Sequence, residues 1–123
     1  MYTCGPTVYD YAQIGNLRSY VFADTVRRVL EYHGFEVKQI INITDVGHLV
    51  NDADEGEDKM SAGLKRDGLE PTLENMHALG EKYTFAFIED LRALNVEFPF
   101  AFPRASEHVQ EQIAFVSTLM DKG

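Results

Sequence analysis

One pattern in the first 42 residues constrains the fold more than anything else in the chain. Residues 2–4 read as a short strand, which Gly5-Pro6 breaks. A turn rich in small and polar residues follows, and then an apolar-striped run that stops at Gly34. That run is expected to be a helix beginning near residues 15–16, with Asn16 as its N-cap and Gly34 just past its end. Phe22, Val26, Val29 and Leu30 recur at helical spacing and are the expected buried face. Residues 35–42 then carry Phe, Val and two Ile, a pattern that suits a strand of a covered parallel sheet. Strand, helix, strand is a βαβ unit, so the expected class is α/β with a parallel sheet.

A strand that empties into a helix start is a natural anion site. The first-turn N–H groups have no partner within the helix, and the helix dipole adds partial positive charge. Cys4, Thr7, Gln13 and Asn16 crowd around this turn. Gly15 permits close approach of backbone and ligand, while Gln13 and Asn16 can donate to phosphate oxygens. The same four residues also suit an ordinary strand–helix turn with polar caps. Thr44, Asp45 and His48 follow the second strand, and ligands of open α/β sheets bind beyond strand C-termini. These residues are expected on the same rim as Cys4 and Thr7.

The rest of the chain is read as loop and helices over residues 46–123. Residues 51–69 are acidic and then mixed, a loop with one short helix. Asp52, Asp54, Glu55, Glu57 and Asp58 lack the glycine-centred spacing of a calcium loop and read as a solvated surface. Pro71-Thr72 opens a long helix, striped by Leu73, Met76, Leu79, Tyr83, Phe87 and Leu91, that ends near Asn95. Residues 96–105 hold two prolines and three phenylalanines and are expected as an ordered apolar connection. Ser106 is the expected cap of a last helix with a stripe of Val109, Ile113, Val116 and Met120.

Charge and cysteine usage narrow the functions. Eleven basic and twenty acidic residues give a net charge of −9. This opposes a large phosphate-backbone footprint, because nucleic-acid affinity rests on Lys and Arg. No apolar run approaches the roughly 20 residues that cross a bilayer. No basic-then-apolar leader opens the chain, so cytoplasm is the expected location. The single cysteine, Cys4, excludes an internal disulfide and leaves a buried thiol, a nucleophile or a metal ligand. Arg18, in the first helical turn, is within reach of a phosphate, whereas Arg27 and Arg28 read as surface charges. A strand beginning at the first residue suggests a fragment of a larger enzyme.

Three segments together resemble a known family. Cys-Gly-Pro-Thr-Val-Tyr-Asp-Tyr-Ala-Gln-Ile-Gly-Asn-Leu-Arg-Ser-Tyr-Val-Phe-Ala-Asp at 4–24 is similar to the start of the catalytic domain of cysteinyl-tRNA synthetases. Asn-Ile-Thr-Asp at 42–45 and Pro-Arg-Ala-Ser-Glu-His at 103–108 match further signatures of that family, in order and at about the right spacing. The resemblance covers essentially all 123 residues.

The resemblance implies a class I synthetase with a Rossmann-like parallel sheet and flanking helices, residues 1–123 being the N-terminal portion of that domain. It implies ATP, with Mg2+, and L-cysteine as substrates, and tRNA(Cys) as acceptor. Cys4 matches a zinc ligand of the family, where zinc binds the substrate thiolate and so rejects serine. Cys4, Gly5, Thr7 and Thr44 match positions near the amino acid. Residues 6–16 match the His-Ile-Gly-His region, which makes Thr7, Tyr9, Gln13, Gly15 and Asn16 the expected ATP contacts. Gln13 and Asn16 are the expected catalytic residues.

Two departures from the family pattern matter. Gln13 stands where the first signature histidine is found; an amide can donate to phosphate but cannot carry charge. Asn16 in place of the last histidine is a milder change. The other zinc ligands, the Lys-Met-Ser-Lys-Ser loop and the anticodon-binding helices have no match. Lys59-Met60-Ser61-Ala62-Gly63 imitates that loop but lacks its second lysine and falls too early, so it reads as a decoy. On this reading these residues alone are inactive, bind zinc weakly or not at all, and do not grip nucleic acid. Two other functions share the features: a cysteine ligase of mycothiol biosynthesis, with a sugar amine as acceptor, and a non-catalytic nucleotide-binding or interaction module.

Overall fold

A computed structural model describes residues 1–46 and 59–123. His48 and the acidic run at 52–58 lie outside the described residues. β1 (Tyr2–Thr3) and β2 (Ile40–Ile41) pair in parallel, Tyr2 opposite Ile40 and Thr3 opposite Ile41. The helix α1 (Ile14–Tyr32) connects them. α2 (Lys59–Arg66), α3 (Leu73–Ala93), a 3-10 turn (Ala105–His108) and α4 (Val109–Lys122) follow. The βαβ unit is therefore present, with a shorter ladder than residues 35–42 suggested; Phe35 is exposed.

β2 is nevertheless central, because both of its edges are bonded. On one side the first segment resumes pairing after the Gly5-Pro6 break: Val8 N–H donates to the Thr44 carbonyl at 3.1 Å, and Thr44 N–H to Pro6 at 3.0 Å. On the other side residues 100–105 run alongside and pair through two isolated parallel bridges. Ile41 N–H donates to Ala101 at 3.2 Å, Ile43 N–H to Pro103 at 2.8 Å, and Ala105 N–H to Ile43 at 2.9 Å. The expected apolar connection thus lies along an edge of the sheet. Pro103 is tolerated there because it takes part through its carbonyl, which needs no N–H of its own.

Ile41 and Ile43 are fully buried and face a core of Met60, Leu64, Leu79, Tyr83, Phe87 and Leu91. α3 buries Leu79, Tyr83, Phe87 and Leu91 of the stripe read from its spacing; Met76 is half-buried and Leu73 is exposed. Thr72 caps it, its side chain accepting from Asn75 N–H at 3.2 Å. Both long helices end alike. Gly34 (φ +86°) and Asn95 (φ +55°) take left-handed conformations, and the next residue's N–H reaches back to Leu30 or Leu91.

Five sequence-based expectations need correction. α1 begins at Ile14 with Gln13 as N-cap, and Asn16 is the third helical residue. Its buried face is Tyr20, Ala23 and Asp24, while Phe22, Val26 and Val29 lie on the exposed side. Ser106 does not cap α4. Its hydroxyl donates to Asp45 Oδ2 at 2.6 Å and its N–H to Asp45 Oδ1 at 2.9 Å, so Asp45 caps the 3-10 turn instead. The apolar stripe of α4 buries nothing among the described residues.

The fifth correction concerns Arg27, whose side chain is largely buried; Arg28 is exposed as expected, but it too is bonded to the backbone. Arg27 donates to the Phe98 carbonyl at 2.8 Å and to Glu31 at 2.8 Å. Arg28 reaches the Asn95 carbonyl at 2.9 Å and Asp24 at 2.7 Å. The hydrogen bond to Asp24 raises the Arg28 pKa, with Glu97 and Glu31 adding to it. Asp24 is buried, and its other oxygen accepts from Glu97 N–H at 2.8 Å. The polar face of α1 thereby fastens the end of α3. Asp24→Ala removes two hydrogen bonds to a buried carboxylate and strands the Glu97 N–H. Urea unfolding is expected to show a loss of about 2–3 kcal/mol; a loss below about 0.5 kcal/mol would refute the fastening role.

Candidate active site

The sheet and the start of α1 enclose a cleft of about 410 Å3. Its walls are the turn after β1, the first turn of α1 and the beginning of α2: Gly5, Pro6, Thr7, residues 9–13, Asn16, Tyr20 and Lys59. Thr7, Tyr9, Gln13 and Asn16 are therefore brought together, as are Gly5 and its neighbours. Thr44 sits beside them through its parallel bridge to Thr7. Gly15 is on the exposed first turn, and a Cβ there would meet nothing within 4 Å.

Each wall has a local cause. Asn42 is the hub under the first turn. Its Oδ1 accepts from Gly5 N–H and from the Tyr2 hydroxyl, each at 2.8 Å, and its Nδ2 donates to Thr44 Oγ1 at 3.1 Å. Gly5 lies so close to β2 that a Cβ would fall 1.4 Å from the Asn42 carbonyl oxygen. At the start of α1, Asn16 Oδ1 accepts from Gln13 N–H at 3.2 Å. The N–H groups of Asn16 and Leu17 both turn back to the Gln13 carbonyl. Those of Ile14 and Gly15 are the first-turn donors left for a ligand.

The outer wall, residues 9–11, is held by α2 and α3. Arg66 donates to the Tyr9 carbonyl at 3.0 Å and the Tyr83 hydroxyl at 2.7 Å, and pairs with Asp10 at 2.7 Å. Tyr11 packs edge-on against Tyr83, ring centroids 5.0 Å apart. Gly63 lets α2 approach, since a Cβ there would lie 2.9 Å from the Tyr9 carbonyl oxygen. Lys82 and Arg66 hydrogen-bond Asp67 and hold its carboxyl below the usual range. The decoy-like Lys59-Met60-Ser61-Ala62-Gly63 is therefore part of this wall, on a helix. Arg18 is not: it borders a separate depression with Ser19 and Phe22.

Tyr20 is a cleft residue that the sequence reading left unassigned. It follows Asn16 by four positions, which puts both on one helix face. Burial, and then the neighbouring Cys4, push its phenol up to about 12. It is a neutral hydroxyl at physiological pH, next to the cysteine thiol.

Cys4 itself is exposed, which removes the buried-thiol alternative. An accessible, soft sulfur fits a zinc donor. One thiol is not a centre, and no three His, Cys, Asp or Glu side chains converge among the described residues.

The cleft thus lies between the turn after β1, the polar first turn of α1 and the start of α2, with the exposed Cys4 preceding Gly5 in the chain. The chain belongs to the family described as tRNA synthetases class I (C) catalytic domain, whose model matches residues 1–123. Its relatives include Cysteine--tRNA ligase 1 of Burkholderia lata, 56% identical over 119 residues, which are 97% of this chain and 24% of the relative. The Cysteine--tRNA ligases of Salinibacter ruber and Deinococcus radiodurans are 48% and 47% identical, over 98% and 100% of the chain. The chain spans about a quarter of the length of these relatives. Among the described residues, no helix is long and apolar enough to cross a membrane.

Proposed function

We propose that residues 1–123 are the N-terminal part of the Rossmann-like catalytic domain of a cysteine–tRNA ligase, working in the cytoplasm. The observation that supports this most is spatial. The three segments that resemble the family all meet around β2 and the residues that directly follow it: the 4–24 stretch on one side, Asn42 to Asp45 as the continuation of β2, and Pro103 to Ser106 on the other side.

The expected reaction is activation of L-cysteine by ATP with Mg2+. A carboxylate oxygen of cysteine attacks the α-phosphorus, the bond to the bridging oxygen breaks, and pyrophosphate leaves with the electron pair. A terminal ribose hydroxyl of tRNA(Cys) then attacks the carbonyl carbon of the adenylate, the bond from that carbon to the phosphate oxygen breaks, and AMP leaves. In this reading Thr7, Tyr9, Gly15 and Asn16 contact ATP, and the Gln13 amide donates to the phosphates as charge accumulates on them. Asn16 keeps the turn in shape through its bond to Gln13 N–H. Gly5, Thr7 and Thr44 line the amino-acid end, with Cys4 as one donor to Zn2+. Zinc, when bound, favours a soft thiolate over a hydroxyl.

The test is isotopic pyrophosphate exchange into ATP with the intact protein. Exchange is expected with cysteine and at most at about one-hundredth of that rate with serine. Comparable exchange with both amino acids, or none with either, would overturn the assignment.

A further inference from the structure

We propose that Lys59 binds the phosphates of the nucleotide in the cleft and supplies the positive charge that Gln13 lacks. The proposal rests on reading the cleft as a nucleotide site. Among the described residues that line the cleft, Lys59 is the only basic one. The one acidic liner among them, Asp10, is already paired with Arg66 at 2.7 Å. Lys59 has no carboxylate partner among the described residues. Its Nζ lies 5.9 Å from the centroid of the Tyr9 ring, so the ammonium is held over the wall.

The placement is enforced from behind. Met60, the next residue, is fully buried in the core, and Gly63 and Arg66 lock α2 onto Tyr9. The first residue of α2 is thereby fixed at the cleft while its charged end stays half in solvent. A triphosphate brings several negative charges into a chain of net charge −9. Amide and backbone donors alone leave them uncompensated, and a lysine ammonium is a strong point-charge partner for phosphate.

The experiment uses the intact protein with Lys59→Met, which keeps the stem over Tyr9, and Lys59→Arg, which keeps the charge. Affinity for ATP and for inorganic tripolyphosphate is measured by calorimetry at two salt concentrations, beside the kinetics of cysteine-dependent exchange. Lys59→Met is expected to weaken ATP and tripolyphosphate binding about tenfold or more. KM for cysteine and the unfolding midpoint should not move. Its remaining ATP affinity should fall less steeply with salt than that of the wild type, and Lys59→Arg should restore most of the loss. Unchanged ATP and tripolyphosphate affinity in Lys59→Met would overturn the proposal, and if the wild type still exchanged with cysteine the assigned function would stand. A wild type that binds neither ATP nor tripolyphosphate would overturn both.

Discussion

Gly5→Ala is expected to cost about 4 kcal/mol or more, enough to leave the protein barely folded. A methyl group at this position would lie 1.4 Å from the Asn42 carbonyl oxygen, 2.6 Å from its carbon and 3.2 Å from Ile41 Cγ2. These are backbone atoms and a fully buried side chain, so no rotamer change relieves the clash. The first segment must move off β2, which breaks the Gly5 N–H bond to Asn42 Oδ1 and the pairing that continues to Val8. Losses of this size are confined to a few mechanisms, and a core backbone clash is one of them. Against a total stability of about 5–15 kcal/mol the loss is decisive.

Gly15→Ala is the matched comparison. Its Cβ would enter open space in the first turn of a helix, where alanine is intrinsically favoured by up to about 1 kcal/mol. Stability should hold or rise, whereas affinity for ATP should fall if the ligand lies against that backbone. Urea midpoints of the two variants decide the first point. A Gly5→Ala midpoint close to the wild type would mean that the first segment does not pack against β2 as described.

The second large effect is expected from Cys4→Ser. Losing a neighbour of a metal ligand typically costs 10–100-fold in metal affinity or activity, so losing the ligand should cost at least about a hundredfold. Serine keeps the size and exposure of Cys4, and the fold should be indifferent to the change. Cysteine-dependent exchange is expected to fall by that factor, and discrimination against serine to shrink with it. Zinc content of the purified intact protein, measured by elemental mass spectrometry, gives an answer independent of turnover. Full zinc occupancy together with wild-type discrimination would remove Cys4 from the metal site.

Legibility in the sequence followed the physics of each element. α3 was readable because its apolar residues pack directly on β2 and α2, so its 3.6-residue spacing and its buried face coincide. α1 was readable as a helix but not as an oriented one. Its buried side is chosen by Asp24, Arg27 and Arg28, which bond the backbone at residues 95–98. Ranking residues by hydrophobicity places such polar groups outside, because their partners are some 70 positions away in the chain. Phe22, Val26 and Val29 then read as core although they are exposed.

In the site, Thr7, Gln13 and Asn16 were legible because a strand–turn–helix brings near neighbours together. Lys59 was not, since nothing local signals that α2 docks on the Tyr9 carbonyl. The Asp45–Ser106 pair was visible as two separate motifs, but their contact was not. Arg66 gave no sign at all in the sequence, since its distant partners lie in the turn after β1, at Tyr9 and Asp10, and on α3, at Tyr83.

The central place of β2 also has a consequence for how the chain is made. Its first edge can pair as soon as Thr44 is synthesised, because the partner precedes it. Its second edge waits for residues 100–105, and the Asp45–Ser106 contact spans 61 positions. At about 5–20 residues per second, the N–H groups of Ile41 and Ile43 face outward for about 3–12 seconds on every nascent chain. An uncovered strand edge beside two bulky isoleucines is a template for pairing with the wrong chain. The hazard ends only when residues 100–105 arrive and accept those N–H groups.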